Sequence, residues 1–140
     1  MSFTLDPANP DQARALEHLS TDLIAWLTTI SSKGRPQPSA IWFSWDGNSV
    51  LLYSGDTARV KNISSNPNVS FHFNSDEEGE DIAILSGIAT LDPDAPPPNE
   101  LASYRKRYEV MVSRMGMTWD SFADQYHIPI RITLTGYRRW

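Results

Sequence analysis

A chain of 140 residues has room for one domain, taken as 1–140, built on a single buried core. Asp and Glu outnumber Lys and Arg by 17 to 12, and the net charge of −5 disfavours attraction to a nucleic-acid backbone or an anionic membrane. No cysteine is present, which excludes a disulfide frame, a thiolate metal site, a Cys nucleophile and a thiol switch, so redox chemistry would need a bound group.

Residues 1–10 carry Asp6, Pro7, Asn9 and Pro10 where a secretory signal would have a basic start and an apolar run. No apolar segment approaches the roughly 20 residues that span a bilayer. A soluble, cytoplasmic protein is expected. Asn9-Pro10-Asp11 reads as a cap, a first-position proline and a first-turn acid, opening a helix with Ala13, Leu16, Leu19 and Leu23 at helical spacing. Residues 24–31 are rich in β-branched and aromatic side chains and stop at the turn Ser32-Lys33-Gly34-Arg35. Residues 37–45 read as the returning strand, and Asp46-Gly47 as a hairpin turn into a third strand, 49–54.

Thr57 can cap a short helix through Val60 and Ile63 that Asn66-Pro67 would end. Val69, Phe71 and Phe73 then alternate with polar residues as a half-buried strand. An acidic loop, 76–81, leads to a strand over 82–91, in which Gly87 suggests a bulge or a close backbone approach. The proline-rich connector 92–98 leads to Asn99, a candidate cap for a helix carrying Leu101, Tyr104, Tyr108, Met111 and Met115, which Gly116 would terminate. A short helical segment over 118–126 precedes a last strand with Ile130, Ile132 and Leu134 alternating. The sum is a mainly β (α+β) fold of six strands and three or four short helices. Its connections are too short for βαβ crossovers, which disfavours a doubly wound nucleotide fold.

Side chains able to do acid–base or metal chemistry are scarce. His18, His72 and His127 are far apart, lack metal-ligand spacing, and read as solvated or structural. No Gly-x-Ser-x-Gly elbow exposes a serine, and the run Asp76-Glu77-Glu78-Gly79-Glu80-Asp81 lacks the ligand pattern of a calcium loop. No catalytic side chain and no metal site are therefore assigned. The segment from Tyr53 to Ile63 differs: it runs from a strand end through Ser54-Gly55-Asp56 into a helix start. Such a junction suits an anion, because backbone N–H groups and the positive helix end favour a phosphate while Ser54, Thr57, Arg59 and Lys61 add donors and charge. Taken alone, a plain helix cap with two solvated basic residues reads equally well.

The order of the pieces resembles the pyridoxamine 5′-phosphate oxidase-like superfamily of split-barrel flavoproteins over nearly the whole chain. The resemblance rests on Ala25-Trp26-Leu27-Thr28-Thr29 and then Gly34-Arg35-Pro36-Gln37-Pro38-Ser39-Ala40-Ile41-Trp42-Phe43. It continues in Tyr53-Ser54 with Thr57-Ala58-Arg59-Val60-Lys61-Asn62-Ile63, in Asn66-Pro67-Asn68-Val69-Ser70, in Leu85-Ser86-Gly87-Ile88-Ala89 and in the terminal strand. The resemblance implies a six-stranded antiparallel split β-barrel with short flanking helices, forming homodimers with cofactors at the subunit interface. Within that superfamily the chain is most similar to the class B deazaflavin-dependent oxidoreductases, which implies coenzyme F-420, with FMN as the alternative.

By the same resemblance Pro38, Ser39, Ala40, Ile41, Trp42 and Phe43 would run along the ring, while Ser54, Thr57, Arg59 and Lys61, with Ala58 between them, would grip the phosphate. Asn62 would reach the anionic tail, and Trp140 would offer a flat wall, with Arg138 and Arg139 reaching the partner's pocket. The vitamin-synthesising oxidases usually carry adjacent Arg-Lys after the serine, whereas here Ala58 precedes Arg59 and Lys61 follows two positions on. That departure weakens the FMN assignment. Pyridoxine phosphate is disfavoured as substrate, because no substrate-phosphate motif is found near Tyr137-Arg138-Arg139-Trp140. The function implied is hydride transfer between the deazaflavin and a small conjugated molecule, with the protein supplying orientation and a water-poor cleft. The competing readings are an FMN-dependent oxidase or reductase, a non-catalytic flavin or haem carrier, and an oligonucleotide-binding barrel. The last is opposed by the negative charge and the lack of interleaved basic and aromatic residues.

Overall fold

Asn9 opens the chain's first helix as its sequence suggests, its side-chain oxygen accepting from the backbone N–H groups of Asp11 and Gln12 ahead of α1 (Pro10–Thr21). The structure is a computed structural model and describes residues 3–139. Seven strands follow: β1 (Ala25–Ile30), β2 (Pro36–Ile41), β3 (Ser44–Trp45), β4 (Ser49–Ser54), β5 (Asn68–Phe73), β6 (Ile84–Leu91) and β7 (Ile128–Arg138). Three more helices, α2 (Ala58–Ser65), α3 (Ala102–Arg114) and α4 (Trp119–Gln125), lie between them.

All strands join one antiparallel sheet in the order β2-β1-β5-β6-β7-β4-β3. Laid flat, seven strands would place the two edges about 29 Å apart. Yet the edge strands β2 and β3 are consecutive in the chain, joined by Trp42 and Phe43 alone, and three Cα–Cα steps cover at most about 11 Å. The sheet therefore curls into a half-barrel. The count of seven corrects the expected six, because the returning strand over 37–45 breaks at Trp42-Phe43 and its two parts serve opposite edges.

Tyr108 of α3 satisfies the backbone at that break. Its hydroxyl accepts from the Phe43 N–H at 2.8 Å and faces the carbonyl oxygens of Phe43 at 3.0 Å and Leu23 at 2.8 Å. The neighbouring Arg107 donates to the Leu19 and Asp22 carbonyls and lies 4.5 Å from the centre of the Phe43 ring. Two cores result from strand alternation. In β4, Val50 and Leu52 face the barrel interior with Leu27, Phe43, Phe71 and Leu85, whereas Leu51 and Tyr53 face outward onto Tyr104, Tyr108 and Phe122 of α3 and α4.

The bulge expected in β6 lies between Ser86 and Gly87. A Cβ on Gly87 would fall 2.5 Å from Ile132 Cγ2 and 2.9 Å from the Thr133 carbonyl oxygen, so only glycine admits that approach. Asn99 does not cap α3: the chain first makes a turn, Glu100 N–H to Pro97 O, and the helix begins one residue after Leu101, while Asn99 donates to Asp120. Gly116 ends α3 as expected, with φ +70°.

His18 is 4% exposed, stacked on Phe73 at 5.0 Å, and held between Asp22 (2.7 Å) and Asp81 (3.1 Å). It ties α1 to the acidic loop and is structural. The Arg14 guanidinium, together with His18, holds the Asp81 carboxyl well below the usual range, at about 2.

Two outcomes follow from these contacts. Tyr108→Phe leaves the Phe43 N–H without its partner and is expected to lower unfolding free energy by about 1–3 kcal/mol, read by urea denaturation. Asp81 has its pKa lowered on folding, so its contribution is complete above its unfolded value of 3.8 and disappears as pH falls toward 2. Thermal midpoints measured between pH 5 and pH 2 should therefore fall more steeply for the parent than for Asp81→Asn.

Candidate functional site

At the end of β4 the chain leaves the sheet through Gly55, passing so close to α4 that a Cβ there would lie 3.2 Å from the Gln125 carbonyl oxygen. It then enters α2. Between this junction, the end of β2 and the overhanging α3 and α4 lies a cleft of about 370 Å³, near the lower end of the range for small-molecule sites, roughly 300–1,000 Å³. One wall is Ala40, Ile41 and Trp42; the polar end is Ser54, Thr57 and Arg59; the aromatic side is Tyr53, Tyr104, Phe122 and Tyr126, with Met115 at the rim, 48% exposed.

Arg59 dominates the polar end. Its Nη2 donates to Ser39 Oγ at 2.8 Å and its Nη1 to Ser54 Oγ at 3.3 Å, while its Nε is buried without a partner. Among the described residues it makes no ion pair, and burial alone pushes its guanidinium pKa down from the ordinary value. Ser54 Oγ also donates to the Gly55 carbonyl at 2.8 Å and sits 3.4 Å from Thr57 Oγ1. Thr57 occupies the N-cap position of α2 but makes no side-chain capping bond, and the first turn carries no acid. An uncompensated cation, two hydroxyls and an uncapped positive helix end thus converge on one end of the cleft, an arrangement that favours an anion.

The opposite end is neutral. Trp42 stacks nearly parallel on Tyr108 at 4.7 Å and Phe122 at 5.4 Å, and Phe122 packs on Tyr126 at 4.6 Å. Among the described residues no carboxylate, ammonium or imidazole lines the cleft, so the surface they form can orient a planar group and exclude water without a strong acid or base of its own.

The residues expected at the site divide into three groups. Ala40, Ile41, Trp42, Ser54, Thr57 and Arg59 line the cleft, and Ser39 supports Arg59 from beside it. Pro38, Ala58 and Lys61 are exposed and do not line it within this subunit. Two side chains point elsewhere. Phe43 is wholly buried in the barrel, edge-on to Phe71 at 5.3 Å, so it packs the core instead of running along a ring. The Asn62 amide donates to Thr29 Oγ1 at 3.0 Å and Gln37 Oε1 at 2.7 Å, which fastens α2 to β1 and β2 and leaves it no donor for an anionic tail. Trp140 lies outside the described residues. Arg138 pairs with Ile84 at the end of β7, and Arg139 Nη1 approaches Asp11 at 3.4 Å.

The aromatic side was not foreseen. Tyr104 and Tyr108, and likewise Phe122 and Tyr126, recur at four-residue spacing, which marks a helix face without saying what it covers.

A family model described as pyridoxamine 5′-phosphate oxidase matches residues 10–133. The chain belongs to this family. No curated protein matches it. Among solved structures it is similar to one named F-420 reductase, with 21% identity over 89% of this chain and 95% of that one and a TM-score of 0.64. It is also similar to a putative pyridoxamine 5′-phosphate oxidase from Listeria innocua (20% identity, 90% and 94% coverage, TM-score 0.64). A third likeness is to the haem storage protein HutZ from Vibrio cholerae (17% identity, 98% and 95% coverage, TM-score 0.60). These identities establish a shared fold. No helix among the described residues is long and apolar enough to cross a membrane.

Within this family member, the unpaired Arg59 charge predicts a trade between stability and binding. Arg59→Met removes a desolvated cation while keeping its apolar stem, and the ligand-free variant is expected to be as stable as the parent or more stable by up to about 2 kcal/mol, read by chemical denaturation.

Proposed function

We propose that this chain is an oxidoreductase that binds the deazaflavin coenzyme F-420 and passes hydride between it and a small conjugated substrate. FMN is the alternative occupant of the same cleft. The observation that carries the reading is Arg59, a partly buried cation facing neutral hydroxyls at one end of a cleft whose other end is aromatic. A ligand that is anionic at one end and planar at the other fits both ends at once.

In this reading Arg59 and the hydroxyls of Ser54, Thr57 and Ser39 hold the phosphate together with the first N–H groups of α2, and charge-assisted hydrogen bonds supply much of the affinity. The segment from Ala40 to Trp42 and the rings of Phe122 and Tyr126 flank the planar part and keep water from it. The bound group supplies the hydride chemistry, which accords with a cleft lacking strong acids and bases. We place the functional unit in the cytoplasm as a homodimer. Support for a second subunit comes from apolar surface left exposed by Met115 at the cleft and by Val110 on α3. Lys61, Ala58 and Pro38 would then meet cofactor bound across the interface.

A non-catalytic flavin or haem carrier is the second reading, favoured by the same missing acid–base groups. Haem is opposed by the histidines: His18 is held between carboxylates, His72 stacks on Trp26, and His127 lies beside Pro129, so none lines the cleft of its own subunit.

Titration of the purified protein with F-420 and with FMN, followed by cofactor fluorescence at fixed ionic strength, tests the assignment. Micromolar or tighter binding of F-420 is expected, lost by tenfold or more in Arg59→Met, since a hydrogen bond to a charged group contributes about 1.5–3 kcal/mol. Preferential FMN binding moves the protein to the flavin branch. Binding of neither, or binding that Arg59→Met leaves unchanged, removes the proposed anion site. Turnover of reduced cofactor with a panel of conjugated acceptors separates an enzyme from a carrier.

A further inference from the structure

Four tyrosines form or back the aromatic side of the cleft, and three have hydroxyls engaged with the protein. Tyr53 donates to the Pro96 carbonyl at 2.6 Å, Tyr108 bonds the backbone at Phe43, and Tyr126 accepts from Gln125 at 3.3 Å. Tyr104 is different. It is 1% exposed and packed against Tyr53 at 5.0 Å and Tyr108 at 4.8 Å, and among the described residues its hydroxyl has no hydrogen-bond partner. The hydroxyl of Tyr137 is also unpartnered but fully enclosed; that of Tyr104 is not enclosed, and the residue lines the cleft. Burial, reinforced by the neighbouring phenols, pushes its pKa far up, so it remains a neutral donor at any working pH.

A hydroxyl with no protein partner that opens onto a cleft takes its partner from what the cleft holds, whereas a phenylalanine would fill the same space with no polar atom to satisfy. The cleft's charge lies at Arg59, so the Tyr104 donor suits a neutral acceptor atom. We propose that Tyr104 donates a hydrogen bond to a carbonyl oxygen of a planar conjugated ligand lying against the aromatic side of the cleft, and so selects for that ligand class. This rests on the reading of the cleft as a binding site for a planar, anionic cofactor. The carbonyl has two sources, the pyrimidinedione of the cofactor's own ring or a second ligand such as a quinone or enone.

Tyr104→Phe and the parent are titrated with F-420, with FMN, with menadione as a planar quinone, and with 2-methylnaphthalene as its carbonyl-free counterpart; their thermal midpoints are compared without ligand. The variant is expected to melt no lower than the parent and to lose roughly three- to tenfold in affinity for the carbonyl ligand that Tyr104 reads, as a single net hydrogen bond allows. Binding of 2-methylnaphthalene should be equal in both. A loss for F-420 or FMN assigns the carbonyl to the cofactor ring, and a loss confined to menadione assigns it to the second ligand. That second result, in a parent that binds neither cofactor, would sink the cofactor assignment while upholding the role of Tyr104. The inference is overturned by parental affinities throughout, by a loss that 2-methylnaphthalene shares, by a lower melting point in the variant, or by a parent that binds none of the four.

Discussion

The geometry of this molecule depends on two residues, Trp42 and Phe43, that carry the chain from one edge of its sheet to the other. Neither can join the ladder while doing so, and a backbone N–H left unpaired in the core costs on the order of 1–3 kcal/mol. The Tyr108 hydroxyl meets that N–H and reaches the carbonyls of Phe43 and Leu23 as well. One side chain therefore supplies what a neighbouring strand would have supplied. Because it comes from α3, the helix is fixed against the seam, and Phe122 of α4 is fixed in turn through the Trp42 stack. The overhang of the cleft is in this way a consequence of how the half-barrel closes.

A second constraint acts at the other end. Arg59 is held by two serines and has no carboxylate partner among the described residues, so in the ligand-free chain it is a partly desolvated charge with incomplete compensation. Such a group lowers stability unless something negative arrives. The α2 N-terminus beside it has the same character, with no acid in its first turn and no side-chain cap. Both are local defects of the same sign at one place, the pattern expected where consistency across levels gives way to function.

The strands and helices were legible in the sequence because their signals are local. Val69, Phe71 and Phe73 alternate, Asp46-Gly47 turns a hairpin, Asn9-Pro10 starts a helix, and each feature forms where its pattern lies. The break at Trp42-Phe43 was not legible, since a strand-like run carries no mark of the point at which its partner strand changes. Half the site was readable for the same reason: Ser54, Thr57 and Arg59 fall within six residues of one another and share a junction. Asn62 lies in the same stretch, but whether its amide faces the cleft or β1 depends on Thr29 and Gln37, which are remote in sequence. Apart from Tyr53, the aromatic side comes from residues 104–126, and helical spacing shows a buried face without naming the surface it meets.

The two sources of the cleft also explain its polarity. The stretch from β4 into α2 contributes backbone N–H groups, hydroxyls and one cation, all that a strand-to-helix turn naturally presents. The α3 and α4 faces contribute what any helix presents to a sheet, large apolar and aromatic side chains. Joining the two gives a site that is charged at one end and apolar at the other before any residue is specialised, and a ligand with the matching asymmetry can enter in only one orientation. Trp42 and Phe122 stack on each other and Tyr53 bonds Pro96, so these side chains of the cleft are held in place by the protein's own contacts. In the proposed reading the fold itself sets the orientation of such a ligand, and reactivity is left to the bound group.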